Sequence, residues 1–297
     1  MTRSEPHSVR GAVLCMACAM LFFSMLNASM KYIGLRYPYP EVLWVRYAGH
    51  SLYALIVFLP GWGTALFRTA RPRLQVLRTL LLFGASGCYF LGLVLIPLPT
   101  ASALTFIGPI LVAALGVPLL GERVGPRRWA AILVGFAGAL IIVRPGVGTV
   151  QWGAVLVLIE AVFYAFYQVM SRKVGMADPA PVSITLAGLG GLALTTLLLP
   201  FGEIRAPASW TDAAVFATAG LWGFLGHFLV IKAYQGARAA IVAPIGYGEL
   251  IGATILGWVI FREFPDLWSW VGAAVIVASG LYVVLREDRL RRGAARG

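Results

Sequence analysis

Apolar runs long enough to cross a bilayer recur ten times along this chain, at residues 11–33, 43–62, 75–96, 99–119, 127–143, 152–171, 182–201, 213–235, 239–261 and 267–285. A hydrocarbon core takes about 20 helical residues to span. Lipid offers no hydrogen bonds, so each run must satisfy its own backbone groups, and a run of this length does so as a helix. Turn formers and charges separate the runs, among them Tyr37-Pro38-Tyr39-Pro40, Arg71-Pro72-Arg73, Asp178-Pro179-Ala180-Pro181 and Phe264-Pro265-Asp266. The spans consume about two thirds of the chain and leave no room for a soluble catalytic domain. With 60% apolar and 12% charged residues, the composition is far from that of soluble domains, about a quarter of whose residues are charged. The net charge of +12 does not describe a nucleic-acid surface, because the basic residues lie in short runs between spans. Cys15, Cys18 and Cys88 all fall inside apolar runs and are expected to pack rather than to carry redox or metal chemistry.

The chain repeats itself. Gly11-Ala12-Val13-Leu14 recurs as Gly153-Ala154-Val155-Leu156, and Ser29 and Lys31 recur as Ser171 and Lys173, at an offset of 142. Slipping by one, Gly116, Glu122 and Trp129 map onto Gly257, Glu263 and Trp270. The expected organisation is a tail at 1–10, a five-helix repeat at 11–145, a second at 146–286 and a basic tail at 287–297. An odd number of spans per copy forces the second to insert upside down relative to the first, the inverted repeat of many secondary transporters. The first run also imitates a signal peptide, with Arg3 and Arg10 before it and Ala17-Cys18-Ala19 within it, but a removable leader would have no internal copy.

Loop charges give an independent count. Numbering the sides alternately, seventeen Lys or Arg fall with the two termini and the even-numbered loops, and five fall opposite: Lys31, Arg36, Arg144, Arg205 and Arg262. Positive charge concentrates on the cytoplasmic side of short loops, so both termini are expected in the cytoplasm.

The stretch from Gly108 to Pro145, GPILVAALGVPLLGERVGPRRWAAILVGFAGALIIVRP, resembles the drug/metabolite transporter superfamily, specifically its EamA-type ten-helix members. Gly153 to Lys173 resembles the sixth helix of that family, and Ala233 to Leu285 its eighth to tenth, with Pro244 and Glu263. The resemblance covers essentially the whole chain. It implies an all-α integral membrane fold of ten helices, a small-metabolite cargo and a bacterial inner membrane. The segment from Phe23 to Lys31, followed by Tyr37-Pro-Tyr-Pro-Glu41 and Arg46, is similar to a subgroup that includes S-adenosylmethionine carriers and metallophore exporters. One departure stands out: many relatives carry a Trp in the middle of the first helix, where this chain has Phe22-Phe23-Ser24.

An ionisable group in the hydrocarbon costs a few kcal/mol, so by default it faces the bundle interior. Six are found within spans: Arg46, His50, Glu160, His227, Lys232 and Glu249. Residues three, four and seven apart share a helical face. Arg46, His50 and Tyr53 form one such stripe; Glu160, Tyr164 and Tyr167 form another, with Gln168 at its flank; His227 aligns with Tyr234. Together with Glu249, which follows the helix-loosening Pro244, Gly246 and Gly248, these are the expected substrate-binding residues. Two acids and two permanent bases fit recognition of a zwitterion, and fit two interhelical ion pairs equally well. Glu160, Glu249, His50 and His227 are the expected proton carriers. Gly108-Pro109 lies near the repeat-related place of Glu249-Leu250, so both halves loosen a helix there. Glu122 and Glu263, at span ends, are expected to fix local turn geometry.

The function class follows. No Walker-type glycine loop and no His-Glu-x-x-His cluster is present, which argues against ATP hydrolysis and against a membrane-embedded enzyme. The expectation is a secondary transporter without cofactor or metal that exports a small zwitterionic metabolite, such as an amino acid or opine-type metallophore, by alternating access. The alternatives are uptake of S-adenosylmethionine or a nucleoside-like metabolite, and flipping of a lipid-linked cargo. The expected partners are a small-molecule substrate and the lipid bilayer, with a homodimer as an assembly to test and no nucleic acid.

Overall fold

The computed structural model describes residues 9–120, 125–144, 152–175 and 178–294. Glu122, Arg123, Gly146 and the terminal residues 1–8 and 295–297 lie outside that set. The described residues form helices joined by short connections: α1 (Val9–Gly34), α2 (Tyr39–Trp62), α3 (Pro72–Leu95), α4 (Leu98–Thr105), α5 (Gly108–Leu120), α6 (Pro126–Val143), α7 (Trp152–Gly175), α8 (Ala180–Leu198), α9 (Trp210–Gly236), α10 (Ala239–Gly246), α11 (Gly248–Leu256) and α12 (Leu267–Ala294). Among the described residues nine spans are long and apolar enough to cross a membrane, α4 with α5 counting as one and α10 with α11 as another; the apolar part of α6, Trp129–Val143, is a shorter tenth. Helix starts follow the sequence chemistry. Proline sits in the first two positions of α2, α3, α4, α6 and α8, where its missing N–H costs no helical bond.

The two halves are exchanged by a pseudo-twofold axis, visible in which helices pack together. With α1 the repeat mate of α7 and α3 the mate of α9, the axis turns the α1/α9 contact into the α7/α3 contact, and both are extensive. The α2/α8 and α6/α12 contacts join mates directly. Small residues permit these approaches. A Cβ on Gly49 of α2 would stand 2.9 Å from the Cα of Gly220 on α9, so neither position takes a side chain without parting the helices.

The expected loosening in each half is a real break, and the breaks match. Phe106 ends α4 with φ −67° and ψ −7°, and Tyr247 ends α10 with φ −67° and ψ −10°. Pro109 lacks the N–H that would continue the ladder through the first break, and Pro244 loosens the turn before the second. The two break residues meet edge to face, ring centroids 4.9 Å apart. Phe106 and Tyr247 therefore sit where the halves cross.

Polar contacts between the halves hold one end shut. Lys31, 2% exposed, reaches Glu263 at 2.7 Å and donates to the carbonyl of Ile96 at 2.7 Å. Glu263 also accepts the N–H of Leu98 at 2.9 Å, fixing the start of α4. Nearby, Arg144 pairs with Asp266 at 2.5 Å, and the Tyr37 hydroxyl donates to Asp212 at 2.8 Å. All three join residues of the first half to residues of the second, at the membrane face opposite the chain ends.

Candidate functional site

At the face that carries the chain ends the halves part around a cavity of about 460 Å³, lined from α2, α3, α7, α8 and α9. The exposed lining residues Pro179 and Gln235 both lie at that face, whereas Arg46 is buried at the inner end. The cavity is thus open on one side and blind on the other.

Arg46 lies about two turns into α2. Its side chain is 7% exposed, with the guanidinium carbon 4.7 Å from the Tyr47 ring centre and 5.1 Å from that of Phe90. Its Nε has no hydrogen-bond partner, and no carboxylate forms an ion pair with it among the described residues. A buried guanidinium without an acceptor is costly. The aromatic faces hold the cation and leave its N–H groups for an anion entering the cavity.

Arg78 is the second cation of the lining, and it was not among the residues expected there. Its Nε donates to Ser171 Oγ at 2.7 Å, one terminal nitrogen to Gln75 Oε1 at 3.1 Å and the Ser183 carbonyl at 3.0 Å, the other to the Tyr167 hydroxyl at 2.9 Å. Every acceptor is neutral, so the charge is oriented and not cancelled. The sequence signal was weak: Arg78 stands at the start of its span and counts as one more loop cation, although Gln75 one turn earlier marks a polar face.

Of the expected residues, the cavity gathers Arg46, His50, Tyr164, Tyr167, Gln168 and His227. The His50 and His227 rings lie 6.1 Å apart, and Tyr164 stacks on Tyr167 at 5.6 Å. Tyr53, Tyr234, Glu160 and Glu249 are not part of the lining. Tyr53 donates to the Ala217 carbonyl at 3.2 Å and ties α2 to α9, while Tyr234 is 46% exposed. Helical spacing put Tyr53 and Tyr234 on the right helices, but each lies too far around or along the helix to reach the cavity. Glu249 accepts from Asn27 Nδ2 at 2.8 Å, and Glu160 is buried on α7. Lys232 sits over the Phe228 ring at 5.6 Å, off the cavity.

The one acid in the lining among the described residues, Asp178, is already engaged. It accepts from the Thr69 hydroxyl, from the Ala70 N–H at 2.9 Å and from Gln75 Nε2 at 2.8 Å. Burial pushes this carboxyl up, but those hydrogen bonds, together with the charge of Arg71, outweigh it and hold it below the usual carboxylate range. A carboxyl depressed in the folded state stabilises the fold above its unfolded pKa of about 3.9 and loses that contribution as pH falls through the folded value. Asp178→Asn should therefore lower the melting temperature in detergent at pH 7, by a stability increment on the order of 1 kcal/mol. The gap to wild type should be full at pH 7 and close only at a pH below the depressed folded value. An equal gap at both pH values would remove the charge from this account.

With Asp178 consumed, the lining presents two guanidiniums, two imidazoles, the Tyr164 and Tyr167 rings and the Gln168 amide, a surface suited to a small organic anion with planar or polar substituents.

Comparison with known proteins agrees with this architecture. The riboflavin transporter of Rhizobium johnstonii is 30% identical over 301 residues, covering 98% of this chain and 96% of that protein. The S-adenosylmethionine uptake transporter of Rickettsia prowazekii is 28% identical, covering 93% of each. The pseudopaline exporter of Pseudomonas aeruginosa is 28% identical, covering 91% of this chain and 95% of that one. A crystal structure 23% identical to this chain has the same fold, with a TM-score of 0.67 over 95% of this chain and 99% of its own. The protein is thus a transporter and not an enzyme, a multi-pass protein of the bacterial inner membrane. The pattern of one family matches twice, over residues 10–144 and 151–285, once for each half of the pseudo-twofold bundle: the chain belongs to the EamA-like transporter family.

Proposed function

We propose that this protein is a secondary transporter that exports a small amino-carboxylate metabolite, binding its carboxylate between Arg46 and Arg78 in the one-sided cavity. The observation that carries this reading is Arg46, a buried guanidinium facing the cavity with no acidic partner among the described residues. Arg78, oriented by neutral acceptors alone, adds a second charge of the same sign. The acids first expected to complement the amine of a zwitterion, Glu160 and Glu249, do not line the cavity. Recognition of the amine then falls to Gln168, to Tyr164 and to the imidazoles of His50 and His227. The cavity opens at the face of the chain ends, which the Lys and Arg bias leads us to expect in the cytoplasm, where an exported substrate would enter. The pseudopaline exporter of Pseudomonas aeruginosa is one relative named for that direction.

A second reading is favoured by a specific contact. The stacked Tyr164 and Tyr167 rings offer a face for a planar heteroaromatic group, and two of the relatives are named for riboflavin and S-adenosylmethionine transport. Metabolite profiles of a deletion strain and an overexpressor, inside and outside the cell, separate the two. Export of amino-carboxylates should enrich them in the medium of the overexpressor and retain them in the deletion strain. Unchanged amino-carboxylates, with a flavin-like or sulfonium compound gained by the cells, would replace the first reading with the second.

A further inference from the structure

We propose that Gln75 is a positioning residue that holds Arg78 and Asp178 apart as two separate charges, so that Arg78 meets the substrate carboxylate and not the protein's own. This rests on the reading of the cavity as a carboxylate site. Gln75 lies in the first turn of α3, is 3% exposed and is not part of the lining. Arg78 follows three residues later on the same helical face. It is buried and lines the cavity, as does the buried Asp178 in the connection from α7 to α8.

The amide joins the two charges without letting them meet. Its Oε1 accepts from a terminal nitrogen of Arg78 at 3.1 Å, and its Nε2 donates to Asp178 Oδ2 at 2.8 Å and to Ser183 Oγ at 3.1 Å. The neighbours fix its orientation. Turned over, the amide would set its NH₂ against a guanidinium and its oxygen against a carboxylate. Each charge is also held on its own side, Asp178 by the Thr69 hydroxyl and the Ala70 N–H, Arg78 by Ser171, Tyr167 and the Ser183 carbonyl. Arg78 and Asp178 form no ion pair among the described residues.

Opposite charges that share one buried amide attract far more strongly than they would in water. A side-chain amide offers an acceptor to the cation and donors to the anion at once, and Gln75 has the length to reach both. With residue 75 cut back to a methyl group nothing stands between them, and the guanidinium, on its flexible stem, turns from Gln75 to Asp178. Its donors are then engaged by a protein carboxylate, and the charge that the cavity presents to an entering anion is cancelled.

Solid-state NMR of the full chain in liposomes, with isotope-labelled Arg guanidinium nitrogens and Asp carboxyl carbons, reads Arg–Asp pairs through their dipolar coupling without any substrate. Gln75→Ala should gain one short pair over wild type, and the gain should vanish when either Asp178→Asn or Arg78→Gln is added. Gln75→Ser, whose side chain is too short to bridge the charges, should show the same gain. No gain in either variant, a gain that survives Arg78→Gln, or a wild-type pair that Arg78→Gln removes would each overturn the proposal. Carboxyl-labelled L-glutamate, as the probe, should bind Gln75→Ala about tenfold more weakly than wild type and regain its affinity when Asp178→Asn is added. Equal affinity in wild type and Gln75→Ala would also overturn the proposal. No glutamate binding by wild type would count against the cavity reading, and the Arg–Asp pair then decides this one, so the two failures are distinguishable.

Discussion

Substitution of Arg78 by Gln is expected to cut substrate flux about 100-fold in kcat/KM while the protein still inserts and purifies at wild-type yield. A charge-assisted hydrogen bond to a carboxylate contributes about 1.5–3 kcal/mol, and each 1.4 kcal/mol is a factor of ten. Arg46→Gln should lose a similar amount. The conservative replacements separate role from charge. Arg78 makes four hydrogen bonds through three nitrogens, to Ser171, Gln75, Ser183 and Tyr167, a fork that a lysine ammonium cannot reproduce. Arg78→Lys should thus recover little. Arg46 is held between the Tyr47 and Phe90 rings with no fork of protein acceptors, so Arg46→Lys should recover more. Equal rescue at both positions would show that the site reads charge alone. Transport assays in proteoliposomes, normalised to protein inserted, give all four values.

The architecture was legible because lipid imposes a coarse rule. Runs of about 20 apolar residues must be helices, and the offset of Lys31 from Lys173 and of Glu122 from Glu263 exposes the two copies in the sequence itself. Even the paired loosening near Gly108-Pro109 and Glu249 was visible, and the breaks at Phe106 and Tyr247 stand at that offset with matching dihedrals. The cavity was less legible. Stripes on single helices put Arg46 with His50 and Tyr164 with Tyr167, because residues on one face travel together. Which stripes face one another depends on crossing angles that no single helix encodes. Glu160 shares a face with Tyr164, yet the cavity stops between them, and Tyr53 is turned toward Ala217. Arg78 was hidden by its position: a cation at the start of a span reads as a topology signal, and only the Ser171, Ser183 and Tyr167 side of the bundle shows that it points inward. Arg46, Glu160 and Glu249 were expected in one substrate site, and the cavity takes in Arg46 but neither acid. The cation and the acids occupy separate polar islands.

Alternating access requires that this cavity, now open at the face of the chain ends, open to the other face during transport. Closure of that other face rests on contacts between halves, among them the ion pair Lys31–Glu263 at 2.7 Å, whose lysine is 2% exposed. Breaking a buried pair by removing one partner costs about 3–5 kcal/mol, enough to redistribute two conformations that differ by a few kcal/mol. The direct measurement is thiol labelling of Gln168→Cys, a cavity position, in a chain whose Cys15, Cys18 and Cys88 are replaced by Ser. A membrane-impermeant maleimide is added to right-side-out and to inside-out vesicles. Alternating access predicts labelling of Gln168→Cys from both faces, faster from the far face once Glu263→Gln is added, while Ala180→Cys at the mouth reacts from one face only. Labelling of Gln168→Cys from a single face, unchanged by Glu263→Gln, would contradict it.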